Sequence, residues 1–448
     1  MSAFHAYDIR GEYGVDITEE IAYKVAYFIP ELLGTDKVLV GRDMRESSPA
    51  LHEAVVRGLC DAGAEVSDLG LSTTPEVYYA TARHGFKASI QITASHNPRK
   101  DNGLKVSREN ALPVGLDTGL GQIERWIAEG CPTPVSEKRG TVNSFDIRRE
   151  YVAFLKSFKE DISNLKIAMD CSNGMASIFV HDIFGEQPLY LYDTLDGTFP
   201  HHEANPIIEA NLADLKALVL KEHCDIGVMY DGDADRVTFV DEKGDFISPD
   251  LIIALLGDYF IRYRKRKGIA LQDIRSSKSV AEYLAPMGVK VETWKVGRAY
   301  AAPRLRSLDG LWGGELAGHY YFKDFFYSDS GLLASILVLG TVARLKREGK
   351  LFSSVMEGIR HYENSGEINF RIDRKQDAMD AVRDWFTSRE KPAASYDFDG
   401  YRVEFDNWWF NIRPSNTEPY LRFLCEAADR ALLDEKVSKV REIVESLK

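Results

Sequence analysis

Lys37-Val-Leu-Val40, Gly41-Arg-Asp-Met-Arg45 and, after a helix-forming stretch, Asp61-Ala-Gly63 and Glu65-Val66 set the grammar of this chain. A short β-rich run gives way to a polar loop, then to a helix that ends at glycine, then to another β-rich run; this order predicts a strand–helix–strand unit. The pattern returns at Lys166-Ile-Ala-Met169 with the loop Asp170-Cys-Ser-Asn-Gly174. It returns again from Ile269 through Ser276-Ser277 and a helix ending at Met287-Gly288, into Val289-Lys-Val-Glu-Thr293. Strand and helix alternating at this spacing predict three α/β units with mainly parallel pairing. None carries Gly-x-Gly-x-x-Gly, so dinucleotide binding is not supported. The tail differs: Gly366-Glu-Ile-Asn-Phe-Arg-Ile372, Tyr401-Arg-Val-Glu-Phe405 and Trp408-Trp-Phe-Asn-Ile412 predict an α+β module on an antiparallel sheet.

The 448 residues suffice for three or four domains of about 100–150 residues each. The expected boundaries are 1–142, 143–244, 245–359 and 360–448. A net charge of -13 disfavours broad attraction to nucleic acid or anionic lipid, and an anionic substrate would need a local basic pocket. The five cysteines are widely spaced, form no Cys-x-x-Cys pair and read as free thiols of a reducing compartment. Met1-Ser-Ala-Phe-His-Ala-Tyr-Asp lacks the cationic and apolar runs of a signal peptide. The most apolar stretch, 331–343, is shorter than the roughly 20 residues that span a bilayer. A cytoplasmic protein that binds neither nucleic acid nor membrane is expected.

Asp231-Gly-Asp-Ala-Asp235 places three carboxylates at alternate positions, where they can converge on one hard cation, magnesium being the natural choice. Glu242 stands at position 12 of an EF-hand count, but Arg236 occupies the glycine position. Asp225-Ile-Gly-Val-Met229 and Val237-Thr-Phe-Val240 flank the loop as strands, not helices, so the EF-hand reading fails. Thr93-Ala-Ser-His-Asn-Pro98 follows the strand-like Ala88-Ser-Ile-Gln-Ile92, which puts Ser95 exposed at a strand end. Gly-x-Ser-x-Gly is absent, and a serine with a cation loop elsewhere fits phosphoryl transfer better than hydrolysis of an ester. Read alone, the segment is equally an ordinary turn.

Arg413-Pro-Ser-Asn-Thr-Glu-Pro419 offers a guanidinium, hydroxyls, an amide and turn N–H groups, a set that suits a phosphate dianion. A capping box over Ser415 and Glu418 is the other reading, against which the strand-like Pro419-Tyr-Leu-Arg-Phe-Leu424 speaks. Gly313-Gly-Glu-Leu-Ala-Gly-His319 sets Glu315 and His319 in a glycine-rich loop, as a reader of sugar hydroxyls or as a plain surface loop. Tyr7-Asp-Ile-Arg-Gly11, Asp101-Asn-Gly-Leu-Lys105 and Lys295-Val-Gly-Arg298 add cations on glycine-bearing loops.

Taken in order, these segments resemble the α-D-phosphohexomutase superfamily, in its bacterial phosphomannomutase/phosphoglucomutase branch, over essentially the whole chain. The resemblance implies three similar α/β domains with mixed sheets and a smaller C-terminal α+β domain around a central cleft. It implies Ser95 as the phosphoserine, and Ser95, Asp231, Asp233 and Asp235 as the Mg2+ ligands. Arg10, His96, Lys105 and His319 match the reaction centre, with Lys105 and His319 as candidates for proton transfer. Tyr7, Arg236, Arg275, Lys295, Arg298 and Glu315 match substrate-binding positions, and Arg413, Ser415, Asn416 and Thr417 the loop that holds the phosphate not being transferred. The implied reaction interconverts hexose 1-phosphate and hexose 6-phosphate, mannose first and glucose also, through a hexose 1,6-bisphosphate that is intermediate and activator. The alternatives are a phosphoglucomutase as main activity, or a magnesium-dependent sugar phosphatase or phosphotransferase. A small sugar phosphate is the expected partner, for a monomer or weak homo-oligomer. Two positions depart from the branch: Ala317 stands where its sugar loop usually has serine, and Arg298 where histidine is common.

Overall fold

The alternation read at Lys37 is realised as a strand, Lys37–Arg42, a helix, Ser48–Asp61, and a second strand, Glu65–Leu71, parallel to the first. Proline in the first turn starts that helix, where its missing N–H costs nothing. The computed structural model of the chain describes residues 3–415 and 420–447.

Three α/β units repeat one plan in which a buried parallel strand turns back into an antiparallel hairpin. In the first, Ala88–Ile92 runs parallel to Lys37–Arg42 and antiparallel to Asp101–Arg108. In the second, Ile226–Tyr230 runs parallel to Ile167–Asp170 and antiparallel to Val237–Asp241. In the third, Trp312–Gly314 runs parallel to Ile269–Asp273 and antiparallel to Tyr320–Phe322. The sheets are therefore mixed, and the hairpin loops 93–100, 231–236 and 315–319 occupy equivalent places in the three units. Every residue of Ala88–Ile92 and Ile226–Tyr230 is buried, as expected where both sheet faces are covered.

The second and third units share a core crossed by the helix Gly331–Arg347, which is buried on nearly all sides. Its apolar character all round is the mark of a helix inside a large protein, and no helix among the described residues is long and apolar enough to cross a membrane. All five cysteines are free. The terminal module is an antiparallel sheet centred on Trp408–Pro414 and Tyr420–Ala427, with the helices Lys375–Thr387 and Arg430–Glu445 packed on it through Phe386, Val440 and Val444.

Two buried charges tie this module to the third unit. Arg402 donates to the carbonyls of Ile274 (2.8 Å) and Ser276 (2.5 Å) while its guanidinium lies over the Trp409 ring. Glu426 accepts from Ser277 Oγ (2.6 Å), Asn364 Nδ2 (2.9 Å) and Trp409 Nε1 (2.8 Å). Burial, with Asp250 nearby, raises the Glu426 carboxyl from 4.5 to about 7. The folded state thus binds more protons than the unfolded chain between about pH 4.5 and 7, and stability falls as pH rises through that window. Denaturant titrations of wild type and Glu426→Gln across this range are expected to differ in slope, the wild type losing on the order of 1–3 kcal/mol more. Equal slopes would show that Glu426 keeps its ordinary carboxyl pKa in the fold.

Candidate active site

The chain leaves Ile92 through Thr93, whose Oγ1 accepts the Ser95 N–H at 2.9 Å. Ser95 itself takes a left-handed φ of 53°, a conformation that non-glycine residues hold only where their surroundings impose it. The strand-end position is as read from the sequence, but the expected exposure is not: Ser95 is only 1% exposed. The equivalent hairpin loop of the second unit covers it. Gly232 makes the close approach possible, since a Cβ there would stand 2.4 Å from the Ser95 carbonyl oxygen. Across that contact Ser95 Oγ donates to Asp231 Oδ2 at 2.7 Å, and His96 Nδ1 lies 3.2 Å from the same hydroxyl. Burial, and then the cations Arg236, Arg10 and Lys105, push His96 well below the usual imidazole range, so its ring is neutral.

Asp231, Asp233 and Asp235 are all buried, and one ligand oxygen from each lies within 4.8 Å of the others. Asp233 accepts from Thr74 Oγ1 (2.5 Å), and Lys105 Nζ donates to both Asp233 and Asp235 (2.6 Å each). Asp233 Oδ1 and Asp235 Oδ1 remain buried without a hydrogen-bond partner among the described residues. Unpartnered carboxylate oxygens that converge in the interior are unfavourable unless a cation joins them. Burial and the charges of Asp233 and Asp235 drive the Asp231 carboxyl well above its ordinary pKa, a further repulsion that a divalent ion relieves. Three carboxylates and one hydroxyl, all oxygen donors, fit magnesium.

Lys105 loses solvation by burial, which lowers its pKa, but the carboxylates of Asp233 and Asp235 outweigh this and the net shift is upward. It is held as an ammonium. His319, paired with it as a candidate for proton transfer, has both ring nitrogens engaged. Its Nδ1 lies 2.7 Å from Asp329 Oδ2, and Arg236 Nε donates to its Nε2 at 2.9 Å. With Nε2 accepting from Arg236, Nδ1 is the nitrogen that donates to Asp329. Asp329 in turn accepts from Arg298 Nε at 2.9 Å, and the Arg298 guanidinium stacks 3.6 Å over Tyr78 while donating to the Ala111 carbonyl. Arg10 donates to Asn97 Oδ1 (2.9 Å) and Asp8 Oδ2 (2.6 Å), bracing the serine loop from the first strand.

A cavity of about 540 Å³ opens beside these groups and draws its walls from all three α/β units and the terminal module. Tyr7, Arg10, His96, Lys105, Asp235, Arg236, Arg275, Arg298, Glu315, His319, Arg413 and Ser415, each singled out in the sequence, line it. Glu315 is buried, with Oε1 accepting from the Tyr321 hydroxyl (2.5 Å) and Oε2 from the Gly297 N–H (3.0 Å). Each oxygen keeps a second lone pair for a ligand hydroxyl. Far from Ser95 in the sequence, Arg275, Arg413 and Arg422 form a cationic wall. Burial, then the charges of Arg275 and Arg422, lowers the pKa of Arg413. Arg275 is paired with Asp273 (2.6 Å) and Arg422 with Glu367 (3.0 Å), so Arg413, lowered by both neighbouring cations, is the guanidinium that an anion would relieve most. Lys295 does not line the cavity; its ammonium sits 5.3 Å from the Tyr300 ring, and Val296 and Gly297 form the wall beside it. Asn416 and Thr417 lie outside the described residues.

Sequence reasoning missed Arg45, Thr74, Asp329 and Arg422. Arg422 had a signal, since it follows the Arg413 loop within a strand that must return past it. Arg45 and Thr74 carry none, because the groups their side chains hydrogen-bond lie fifty or more residues away along the chain, and Asp329 carries none because its two-residue strand has no pattern of its own.

Family models described as phosphoglucomutase/phosphomannomutase match the chain in series: alpha/beta/alpha domain I over 1–131, domain II over 149–244, domain III over 248–379 and the C-terminal domain over 367–443. A phosphomannomutase of Escherichia coli is 34% identical over 98% of this chain and 98% of its own length. A protein named phosphohexose mutases from Xanthomonas campestris pv. campestris is 32% identical over 99% of both chains. The crystal structure of a phosphoglucomutase/phosphomannomutase family protein from Burkholderia thailandensis superposes with a TM-score of 0.85 at 27% identity, covering 99% of this chain and 97% of that one. With four consecutive domains matched and the serine, acidic and arginine loops meeting in one cavity, the chain belongs to the phosphoglucomutase/phosphomannomutase family.

Proposed function

We propose that this chain interconverts the 1-phosphate and 6-phosphate of a hexose, mannose first and glucose as well, by passing a phosphoryl group through Ser95 and a hexose 1,6-bisphosphate. The observation that carries the reading is a cavity with two phosphate ends. Ser95 and Asp231 are buried and do not line it, but their neighbours His96, Lys105, Asp235 and Arg236 do, and they carry the first end; Arg275, Arg413 and Arg422 carry the other. A phosphatase needs only the first end. A mutase needs both, because the phosphate that is not being transferred must be held while the other moves.

Ser95, Asp231, Asp233 and Asp235 would hold magnesium, which when bound supplies charge neutralisation on the phosphoryl oxygens. Phosphoryl transfer runs through a loose transition state, so the protein's own work is positioning and charge placement. Lys105 and Arg236 bring fixed positive charge to the transfer end, His319 orients Arg236 through its Nε2, and Asp329 fixes the tautomer that allows this. Glu315 accepts hydrogen bonds from hydroxyls of the sugar ring. Arg275, Arg413 and Arg422, with Ser415, take whichever phosphate lies distal. After the first transfer the bisphosphate turns end for end and Ser95 recovers the other phosphate. Ala317 and Arg298 line the same cavity and would tune the preference between mannose and glucose. The family's named phosphomannomutases support the mannose reading.

With magnesium and a trace of hexose 1,6-bisphosphate, mannose 1-phosphate is expected to become mannose 6-phosphate without release of free phosphate, and Ser95→Ala is expected to abolish turnover. Free phosphate equal to substrate consumed, or an active Ser95→Ala variant, would remove the mutase reading. Arg422→Gln is expected to lower kcat/KM by about 10- to 100-fold, mostly through KM, as loss of a charge-assisted contact to a bound phosphate does. An unchanged KM would take Arg422 out of the phosphate wall.

A further inference from the structure

Arg45 is 1% exposed, sits outside the substrate cavity and touches none of the acidic residues of the metal loop, yet both terminal nitrogens of its guanidinium are spent on the serine loop. One terminal nitrogen donates to the carbonyls of Ser95 (2.8 Å) and Asn97 (2.7 Å). The other donates to those of Pro98 (2.8 Å) and Asp101 (2.9 Å). The Asp43 carboxylate lies 3.3 Å from Nε, and the ring of Phe199, from the second unit, stacks against the guanidinium. Four carbonyls turned inward on one cation make an ordered loop whose shape depends on a planar fork with donors in fixed directions.

The consequence lies on the other side of those peptides. A trans peptide is planar, so a carbonyl turned toward Arg45 turns the following N–H away from it. For the Ser95–His96 peptide, that N–H has no hydrogen-bond acceptor among the described residues. The Ser95 carbonyl cannot rotate back, because Gly232 closes on it from the second unit. The left-handed φ of 53° at Ser95 is thereby held against its intrinsic cost.

We infer that Arg45 is a positioning residue for phosphoryl transfer: by gathering the carbonyls of the serine loop it fixes the left-handed Ser95 and presents the His96 N–H to an oxygen of the phosphoryl group that Ser95 carries. The inference rests on the phosphoserine reading and adds to it a backbone donor aimed at developing charge, held in place from behind the loop. Backbone donors so preorganised act on charge as it develops and need no rearrangement during reaction. Arg45 itself touches neither substrate nor phosphoryl group.

Two measurements on the full-length protein test this. In Arg45→Met, and in Arg45→Lys, which keeps the charge but loses the fork, kcat is expected to fall at least about 30-fold while KM for the hexose phosphate stays within about twofold. The thermal midpoint of each variant is recorded alongside. A folded variant that keeps wild-type kcat, or one whose KM rises as much as its kcat falls, overturns the role. The second measurement needs no variant. In wild-type protein labelled with 15N at its ten histidines, the His96 amide proton is expected to move downfield when Ser95 is phosphorylated. A resonance unmoved by phosphorylation overturns the His96 contact even if both variants fail to fold. Failure of the wild type to isomerise hexose phosphate would instead strike the function proposed above.

Discussion

Carboxylates buried as densely as Asp231, Asp233 and Asp235 repel one another, and the fold answers that repulsion with positive charge from several directions. Lys105 bonds two of them, Arg236 approaches from the hairpin's own end, and two oxygens stay unpartnered where a cation fits. The serine hydroxyl enters the same centre from a different unit, 136 residues away along the chain. Most of what surrounds the site follows from keeping that contact. Gly232 permits it, Thr93 and Asn97 shape the serine loop, and Asp329 and Arg298 hold His319 so that Arg236 stays in place.

The repetition of one architectural plan explains how such distant residues come together. In each α/β unit the chemistry sits in the loop that joins a buried parallel strand to its antiparallel return: serine in the first, the three aspartates in the second, Glu315 and His319 in the third. Loops at the carboxyl ends of parallel strands are where open α/β sheets place ligands. Three equivalent loops turned toward one another enclose a cavity that no single unit could make, and the terminal module adds the arginine wall.

Much of this was legible in the sequence. Strand ends, helix starts and the antiparallel tail follow local rules, and Ala88–Ile92 was bounded as the structure has it. The serine and aspartate loops stood out because unusual residue types are concentrated in a few positions. Exposure of Ser95 was misjudged because the strand-end rule knows nothing of the neighbouring unit that covers it. Arg45 closes a polar loop that says nothing of its task, and its four carbonyl partners lie fifty or more residues away. Asp329 sits in a two-residue strand with no pattern of its own. The resemblance offers His319 as a candidate for proton transfer; the partners of its two nitrogens, Asp329 and Arg236, lie in other segments and are visible only in the fold.

The claim on which the rest turns is that Ser95 carries the phosphoryl group between substrate ends. Wild-type protein incubated with hexose 1,6-bisphosphate labelled in its phosphates, then challenged with unlabelled hexose monophosphate and sampled rapidly, tests it directly. Label on the peptide that contains Ser95, leaving at the rate of turnover, is the expected result. Turnover without label on that peptide, or label that stays there while product forms, would contradict a phosphoserine carrier.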